Sequence, residues 1–98
     1  MSNYYVYNDY YDAWLCRDGK FRTGIVLFGD SRFARKCFRS KAWASKKRFV
    51  NGHPNFVIEI PAKHSLDAAG YIFDETDNRV STVREEVAKL KNVLDKSA

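Results

Sequence analysis

The sequence predicts an α+β fold, in which a small antiparallel sheet packs against a basic helix and a C-terminal amphipathic helix follows. Three observations favour this class. Stretches rich in tyrosine and β-branched residues, which are typical of short strands, recur through the first 60 residues. An Asp-Gly pair between two of them is a hairpin signal. Near the C-terminus, valine and leucine recur at alternating steps of three and four, which is the period of a helix.

The chain has the size and composition of one domain. Its 98 residues are 45% hydrophobic and 30% charged, which is ordinary for a small globular protein and unlike a disordered chain. We divide the domain 1–98 into residues 4–61, with the sheet and basic helix, an acidic loop region at 62–79, and the C-terminal helix at 80–96. No apolar run approaches the roughly 20 residues that a bilayer span needs, which excludes a multi-helix membrane protein.

The amino-terminal third predicts a hairpin. Residues 4–16 favour strand, broken into two pieces by a bend that includes Asp12. Asp18-Gly19 then predicts a type I′ turn, because this turn needs two residues that tolerate positive φ. The strand after the turn is expected to continue through residues 25–28.

The middle of the chain predicts the basic helix. Ser40 is a candidate N-cap for a helix over residues 41–50. Asn51-Gly52 is interpreted as its end, because glycine tolerates the left-handed conformation that follows a helix. Residues 32–39 fit either a helix or an extended segment by their own pattern.

The last third predicts short strands and the C-terminal helix. Strands are expected at 55–60, ended by Pro61, and at 71–73, followed by an acidic turn-rich loop at 74–78. Thr82 and Glu85 have the spacing of a capping box at the start of the helix. Its apolar stripe either packs on the protein's own sheet or forms the seam of a homo-oligomer. The stripe consists of Val80, Val83, Val87, Leu90 and Leu94.

The charges are strongly segregated along the chain. The net charge is +5, but residues 17–48 hold eleven basic and two acidic side chains, a net charge of +9, and the rest of the chain carries −4. Such asymmetry indicates a polyanionic partner. Alternatives are an ordinary solvated surface and an acidic protein partner. The candidate phosphate contacts are Arg17, Lys20, Arg22, Arg35, Lys36, Arg39, Lys41, Lys46, Lys47 and Arg48.

Aromatic side chains make up 15% of the chain, and several accompany the basic residues. Exposed rings beside cations are how single-stranded nucleic acids are bound, because every base offers a face for stacking. The candidate stacking rings are Tyr10, Phe21 and Trp43. The alternative is that such rings fill the core of a small domain.

Nothing in the sequence predicts a metal ion or cofactor. Cys16 and Cys37 are expected to be free thiols, since their spacing to the two histidines does not fit a zinc site. His53 and His64 lie in segments with turn composition, and a histidine pair could cleave RNA by acid–base chemistry. The sequence spacing of the two histidines does not bring them together. A small ribonuclease therefore ranks third, after nucleic-acid binding and docking on an acidic protein, and no catalytic residues are assigned.

The central segment contains Tyr-Val-Tyr at 5–7, Trp-Leu at 14–15, Asp-Gly-Lys-Phe at 18–21, Ala-Arg-Lys-Cys-Phe-Arg-Ser-Lys at 34–41 and Phe-Val-Ile-Glu-Ile at 56–60. This order resembles small phage-encoded accessory proteins of hairpin–helix–strand form. The resemblance implies that the segment before the helix is extended. It also implies expression in the cytoplasm of a bacterial host and a role in host takeover or anti-defence, for example against a toxin–antitoxin system. It supplies no catalytic residues.

These observations together predict a non-enzymatic nucleic-acid-binding protein, with RNA or single strands favoured over duplex DNA. The first alternative is an inhibitor whose basic face docks on an acidic host protein or toxin. The amino terminus lacks the basic and apolar regions of a secretory signal, so a cytoplasmic location without membrane contact is expected.

Overall fold

The structure is a computed structural model that describes residues 1–23, 34–46 and 49–97. A five-stranded antiparallel sheet, with strand order β3-β2-β1-β5-β4, is its centre. β1 and β5 pair over six positions, from Asn3 opposite Ile60 to Asn8 opposite Asn55. The strands are β1 (Asn3–Asn8), β2 (Ala13–Leu15), β3 (Phe21–Arg22), β4 (Phe49–Val50) and β5 (His53–Ile60).

A three-stranded antiparallel sheet and two helices complete the described part of the chain. The smaller sheet has the order β6-β7-β8, and the C-terminal helix follows β8 directly. The α+β class and the C-terminal helix are therefore confirmed. No helix within the described residues is long and apolar enough to cross a membrane. These elements are β6 (Ser65–Leu66), β7 (Tyr71–Phe73), β8 (Arg79–Thr82), α1 (Lys41–Ala44) and α2 (Val83–Ser97).

Hydrophobic clusters lie on both faces of the five-stranded sheet, because neighbouring side chains of a strand point to opposite faces. The larger cluster lies between this sheet and the smaller sheet with α2. It contains Tyr7, Trp14, Phe56, Ile58, Ile60, Ile72, Val83 and Val87. The smaller cluster lies on the face that α1 covers, and contains Val6, Leu15 and Ala44, with Tyr4, Phe21, Phe38 and Val57 packed against it.

The stripe of α2 packs within the molecule. Val83 and Val87 are buried in the larger cluster, as the first of the two sequence alternatives expected. The hydroxyl of Thr82 accepts the backbone N–H of Glu85 at 3.2 Å, which is half of the predicted capping box. Val80 lies in β8 and is 51% exposed, so the predicted helix start at residue 80 is wrong. The side chain of Leu94 lies outside the described residues.

The predicted basic helix over residues 41–50 is wrong in length, since α1 has only four residues. Asn51 and Gly52 have φ angles of 49° and 84°, and Val50 pairs with His53 across them. They form a two-residue hairpin turn, in which both residues need positive φ. Asn-Gly therefore connects β4 to β5 instead of ending a helix, and Phe49–Val50 is a strand.

The predicted hairpin at Asp18-Gly19 is confirmed, but its turn type is different. Gly19 has a φ of 84°, and Asp18 is not among the residues with positive φ. Gly19 donates its N–H to Cys16 at 2.9 Å, and Cys16 donates its own to Lys20 at 2.9 Å. This is a three-residue loop with glycine in the left-handed position. The predicted continuation through 25–28 lies outside the described residues.

Residues 34–38 are extended, which is the option that the resemblance favoured, whereas 32 and 33 lie outside the described part. The segment inserts where β1 and β2 separate. Tyr4 and Phe38 exchange two backbone hydrogen bonds of 2.8 Å. At the other end, Arg17 donates its N–H to Ala34 and Lys36 donates its N–H to Leu15, both at 2.9 Å.

Candidate nucleic-acid interface

α1 is held on the sheet by one residue and leaves its other side chains exposed. Ala44 is fully buried in the smaller cluster. Trp43 is 62% exposed, although it is a large ring next to that core. The Lys46 ammonium lies 3.6 Å from the centroid of the Trp43 ring, in a cation–π contact. An exposed indole with a cation on one face leaves the other face accessible to a planar ligand.

Four exposed cations accompany Trp43 along residues 36–46. We call these four side chains and Trp43 the α1 face: Lys36, Arg39, Lys41, Trp43 and Lys46. Within the described ranges, none of the four cations has a carboxylate within ion-pair distance. The α1 face therefore has no direct ion pair among the described residues, and its nearest carboxylates include Glu59 and Glu86, which line a small pocket together with Lys41.

Three lysines in the second half of the sequence behave differently. Lys63 pairs with Glu75 at 3.8 Å, and Lys89 lies 3.4 Å from a carboxylate oxygen of Glu86. The Lys91 ammonium donates to a carboxylate oxygen of Asp9 at 2.8 Å. Each of these three lysines therefore has a carboxylate within ion-pair distance, unlike the cations of the α1 face.

The hairpin cations divide into exposed and engaged side chains. Arg17 and Lys20 are exposed, and the backbone bond from Arg17 to Ala34 places the hairpin beside the segment that leads to the α1 face. The Arg22 guanidinium instead donates to the carboxylate of Asp18, through Nε at 3.1 Å and through Nη2. This bond lowers the pKa of Asp18 and raises the pKa of Arg22.

Arg35 makes structural contacts within the molecule, and its predicted contact with phosphate stays a prediction. Its guanidinium lies 4.3 Å from the ring centroid of Trp14 and donates to the carbonyls of Asp67 at 2.9 Å and Ala68 at 3.3 Å. Burial lowers its pKa. The orientation of the Arg35 side chain follows from the backbone pairing of Arg35 with Cys16, because this pairing fixes the sheet face onto which the side chain projects. Arg35 thus ties the two sheets together.

Two other predicted phosphate contacts, Lys47 and Arg48, lie outside the described residues.

The predicted stacking rings fall into different environments. Phe21 is half-buried against the smaller cluster, so it belongs to the core alternative. Tyr10 is 67% exposed and stacks on His53, with the ring centroids 3.5 Å apart and an interplanar angle of 6°. Tyr11 stands edge-on to Tyr10 at 4.9 Å. Neither His53 nor Tyr11 was predicted as a stacking ring, although two facing hairpin turns would bring these rings together.

The two histidines do not form a common site. His53 begins β5, and His64 follows the last residue of that strand by four positions. A strand of this length extends about 23 Å at about 3.3 Å per residue, so the two imidazoles lie towards opposite ends of it. This placement gives the ribonuclease alternative no support.

The two thiols are separate from each other and from other metal-ligating groups. Cys16 is buried and Cys37 is exposed, and both are free thiols. Burial raises the pKa of Cys16, which keeps it protonated. In the described part of the chain, no group of three metal-ligating side chains comes together.

Comparisons of this chain with protein-family models, with curated proteins and with solved structures found no match. The function therefore has to be argued from the geometry and charge of the site itself.

Proposed function

We propose that the protein binds single-stranded nucleic acid, with RNA favoured, through the α1 face, and that this role is non-enzymatic. One observation carries the proposal: four exposed cations along residues 36–46, without ion-pair partners among the described residues, accompany an exposed tryptophan, and one of them, Lys46, lies on its ring. Cations that are already paired gain little from a phosphate, since they must give up a carboxylate first. The unpaired cations of the α1 face instead exchange only water and counterions for phosphates.

The shape of the site favours a single strand over duplex readout. A four-residue helix is about 6 Å long at 1.5 Å per residue, which is too short to fill a major groove as recognition helices do. The exposed Trp43 ring suits an unpaired base, because stacking on an aromatic side chain requires the base face to be accessible. The Tyr10–His53 stack supplies a second aromatic platform at the end of the sheet where β5 begins.

A second candidate is docking on an acidic protein, for example a host enzyme or toxin, as in the phage anti-defence setting that the sequence resemblance implies. The same unpaired cations favour it, because carboxylates attract them as phosphates do. The exposed Trp43 also fits an interface anchor. The two candidates differ in how binding depends on salt and on stacking.

The direct test is fluorescence anisotropy of a labelled oligouridine of about 12 nucleotides, a length within the range that one small domain covers. The triple variant Lys36→Gln, Lys41→Gln and Lys46→Gln is compared with wild type. A matched control carries Lys63→Gln, Lys89→Gln and Lys91→Gln, which removes the same charge from paired lysines. The same series with oligothymidine compares RNA with DNA.

We expect wild type and control to bind with affinities that fall steeply between about 50 and 200 mM salt, as counterion release requires. The α1-face variant should lose at least about tenfold in affinity and show a shallower salt slope. Absence of binding at low salt, or equal losses in both triple variants, would contradict the proposal. Oligothymidine bound more tightly than oligouridine would reverse the preference for RNA.

A further inference from the structure

The strand β5 is paired along only part of its outer edge. On its inner edge, β1 pairs with it over six positions. On its outer edge, β4 pairs with only its first two residues, His53 and Pro54. The rest of β5, up to Ile60, extends beyond β4. Such an edge offers backbone N–H and C=O groups to a further strand.

Two residues of β5, Val57 and Glu59, direct their backbone groups to this outer edge. Along an antiparallel strand, successive residues bond alternately to the neighbouring strands on either side. Tyr4 exchanges its backbone bonds with Phe38, on the side of β1 that faces away from β5. The next residue of β1 therefore bonds to Ile58, which lies opposite it. Val57 and Glu59, on either side of Ile58, face outward and have no backbone partner there among the described residues.

A cleft of about 150 Å³ lies at this edge. Val57 and Ile58 both line it, although they belong to the clusters on opposite faces of the sheet. The cleft therefore follows the edge of the sheet and not one face. Lys41 lines it from α1, and Glu86 and Leu90 line it from α2. It thus combines outward backbone groups with apolar side chains and charges of both signs.

The cleft has an unpaired charge of each sign beside the outward backbone groups. Lys41 and Glu59 are both exposed and both line it. The Glu59 carboxylate accepts the hydroxyl of Ser2 at 2.7 Å, but within the described ranges neither Lys41 nor Glu59 has an ion-pair partner. A symmetric contact pairs such charges twice, because residue i contacts residue j of the other copy and j contacts i.

We propose that the outer edge of β5 pairs with the same edge of a second copy of this chain, in a symmetric antiparallel dimer. With Ile58 at the centre, Val57 of each copy lies opposite Glu59 of the other. Each of these two pairs exchanges two backbone hydrogen bonds, since both residues direct their N–H and C=O groups outward. The pairing also brings Glu59 of each copy to the cleft that contains Lys41 of the other. The two five-stranded sheets thereby join into one.

The dimer places the two α1 faces on the same side of the joined sheet. The two-fold axis of an antiparallel strand pair that relates two copies in one sheet is perpendicular to that sheet, so each copy presents the same face to the same side. The dimer itself does not depend on nucleic acid. Its consequence for binding rests on the proposed function: a strand bound to one α1 face continues onto the other.

The test is sedimentation equilibrium on the full chain without nucleic acid, over about a hundredfold range of protein concentration. Glu59→Pro removes an edge N–H without breaking a bond to β1. Glu59→Lys brings like charges together across the dimer, and the double variant Lys41→Glu with Glu59→Lys exchanges the two charges. Glu75→Lys is the matched control, because it makes the same change of charge at an exposed carboxylate that pairs with Lys63.

We expect the wild type and Glu75→Lys to approach twice the monomer mass as the concentration rises. Glu59→Pro should remain monomeric, Glu59→Lys should weaken dimerisation at least about tenfold, and the double variant should recover it. If circular dichroism shows that Glu59→Pro does not fold, the charge variants decide alone.

A wild type that stays monomeric throughout would overturn the dimer and leave the edge to an extended segment of a partner protein. Dimerisation that survives in folded Glu59→Pro, or a double variant that associates no better than Glu59→Lys, would overturn it as well. Oligouridine binding by a monomeric wild type would still stand for the proposed function.

Discussion

The two faces of the five-stranded sheet are built differently. The face under the smaller sheet and α2 has a cluster of eight buried residues, and its cation Arg35 points inward onto Trp14. The face under α1 has a cluster of three buried residues, and the cations of the α1 face and Trp43 are exposed to solvent. We infer that packing on the first face contributes most of the free energy of unfolding, whereas the second face leaves charged and aromatic surface exposed for a partner.

The largest expected effect comes from neighbouring residues of β5 on opposite faces. Ile58 is 1% exposed in the larger cluster, whereas Val57 is only half-buried against the smaller one. Ile58→Ala should lower the free energy of unfolding by about 2–5 kcal/mol. Val57→Ala should lower it by about 1 kcal/mol, because less apolar surface is lost. Urea unfolding measures both, and equal losses would contradict the comparison.

A second neighbouring pair separates structural cations from binding cations. Arg35→Met removes two hydrogen bonds from a charged donor and a cation–π contact, so it should cost about 2 kcal/mol of stability. Lys36→Met should change stability by less than about 0.5 kcal/mol, because Lys36 is exposed.

For the affinity for oligouridine, we expect the opposite order, with the larger loss in Lys36→Met. Lys36→Met should weaken binding severalfold, and the folded Arg35→Met protein should bind like wild type. A weaker binding of Arg35→Met than of Lys36→Met, measured by anisotropy on folded protein, would place Arg35 in the interface after all.

The hairpin turn between β4 and β5 gives a smaller effect. Asn51→Ala should cost about 1 kcal/mol of stability, since a φ of 49° disfavours residues with a Cβ other than Asn and Asp. Asn51→Gly should be close to wild type, because glycine adopts this conformation without strain. Thermal or urea unfolding measures the difference. The reverse order would contradict the two-residue turn.

The smallest effect is expected at the turn between β7 and β8, far from the α1 face in sequence. The Asp74 carboxylate accepts hydrogen bonds from the Thr76 hydroxyl at 2.7 Å and from the N–H groups of Thr76 and Asn78, which lower its pKa. Its stabilising contribution is therefore present above the ordinary aspartate pKa of about 4 and is lost as the pH falls through the lowered value.

Asp74→Asn should accordingly reduce the acid dependence of the unfolding midpoint below about pH 4. The exposed Asp77→Asn variant, whose carboxylate accepts none of these bonds, serves as the control. An unchanged acid profile in Asp74→Asn would mean that the turn does not depend on the charged carboxylate.

Local patterns predicted those elements whose structure depends on local chemistry. β5 was predicted because an apolar run ends at Pro61. α2 was predicted because its apolar residues recur with the period of a helix. Asn51-Gly52 was misinterpreted because positive φ suits both a helix end and a hairpin turn, and only the pairing of β4 with β5 decides between them. The structural contacts of Arg35 could not be predicted for a similar reason, because its orientation is set by its long-range pairing with Cys16.

Charge segregation located the α1 face approximately, but sequence alone could not show which cations are paired. Lys89 and Lys91 resemble Lys41 and Lys46 in the sequence, and only the positions of Glu86 and Asp9 distinguish them. A groove between the two sheets could not be predicted either, because its lining residues, such as Asp12 and Tyr71, come from distant parts of the sequence.

The most direct test of the central claim uses the fluorescence of Trp43. Titration with oligouridine at low salt should quench the emission of the wild-type protein, because a base stacks on the exposed indole. In Trp43→Phe most of this quenching should disappear, since the remaining Trp14 is 5% exposed, while anisotropy still reports binding. Wild-type emission that does not change on binding, or quenching of equal size in Trp43→Phe, would contradict the account.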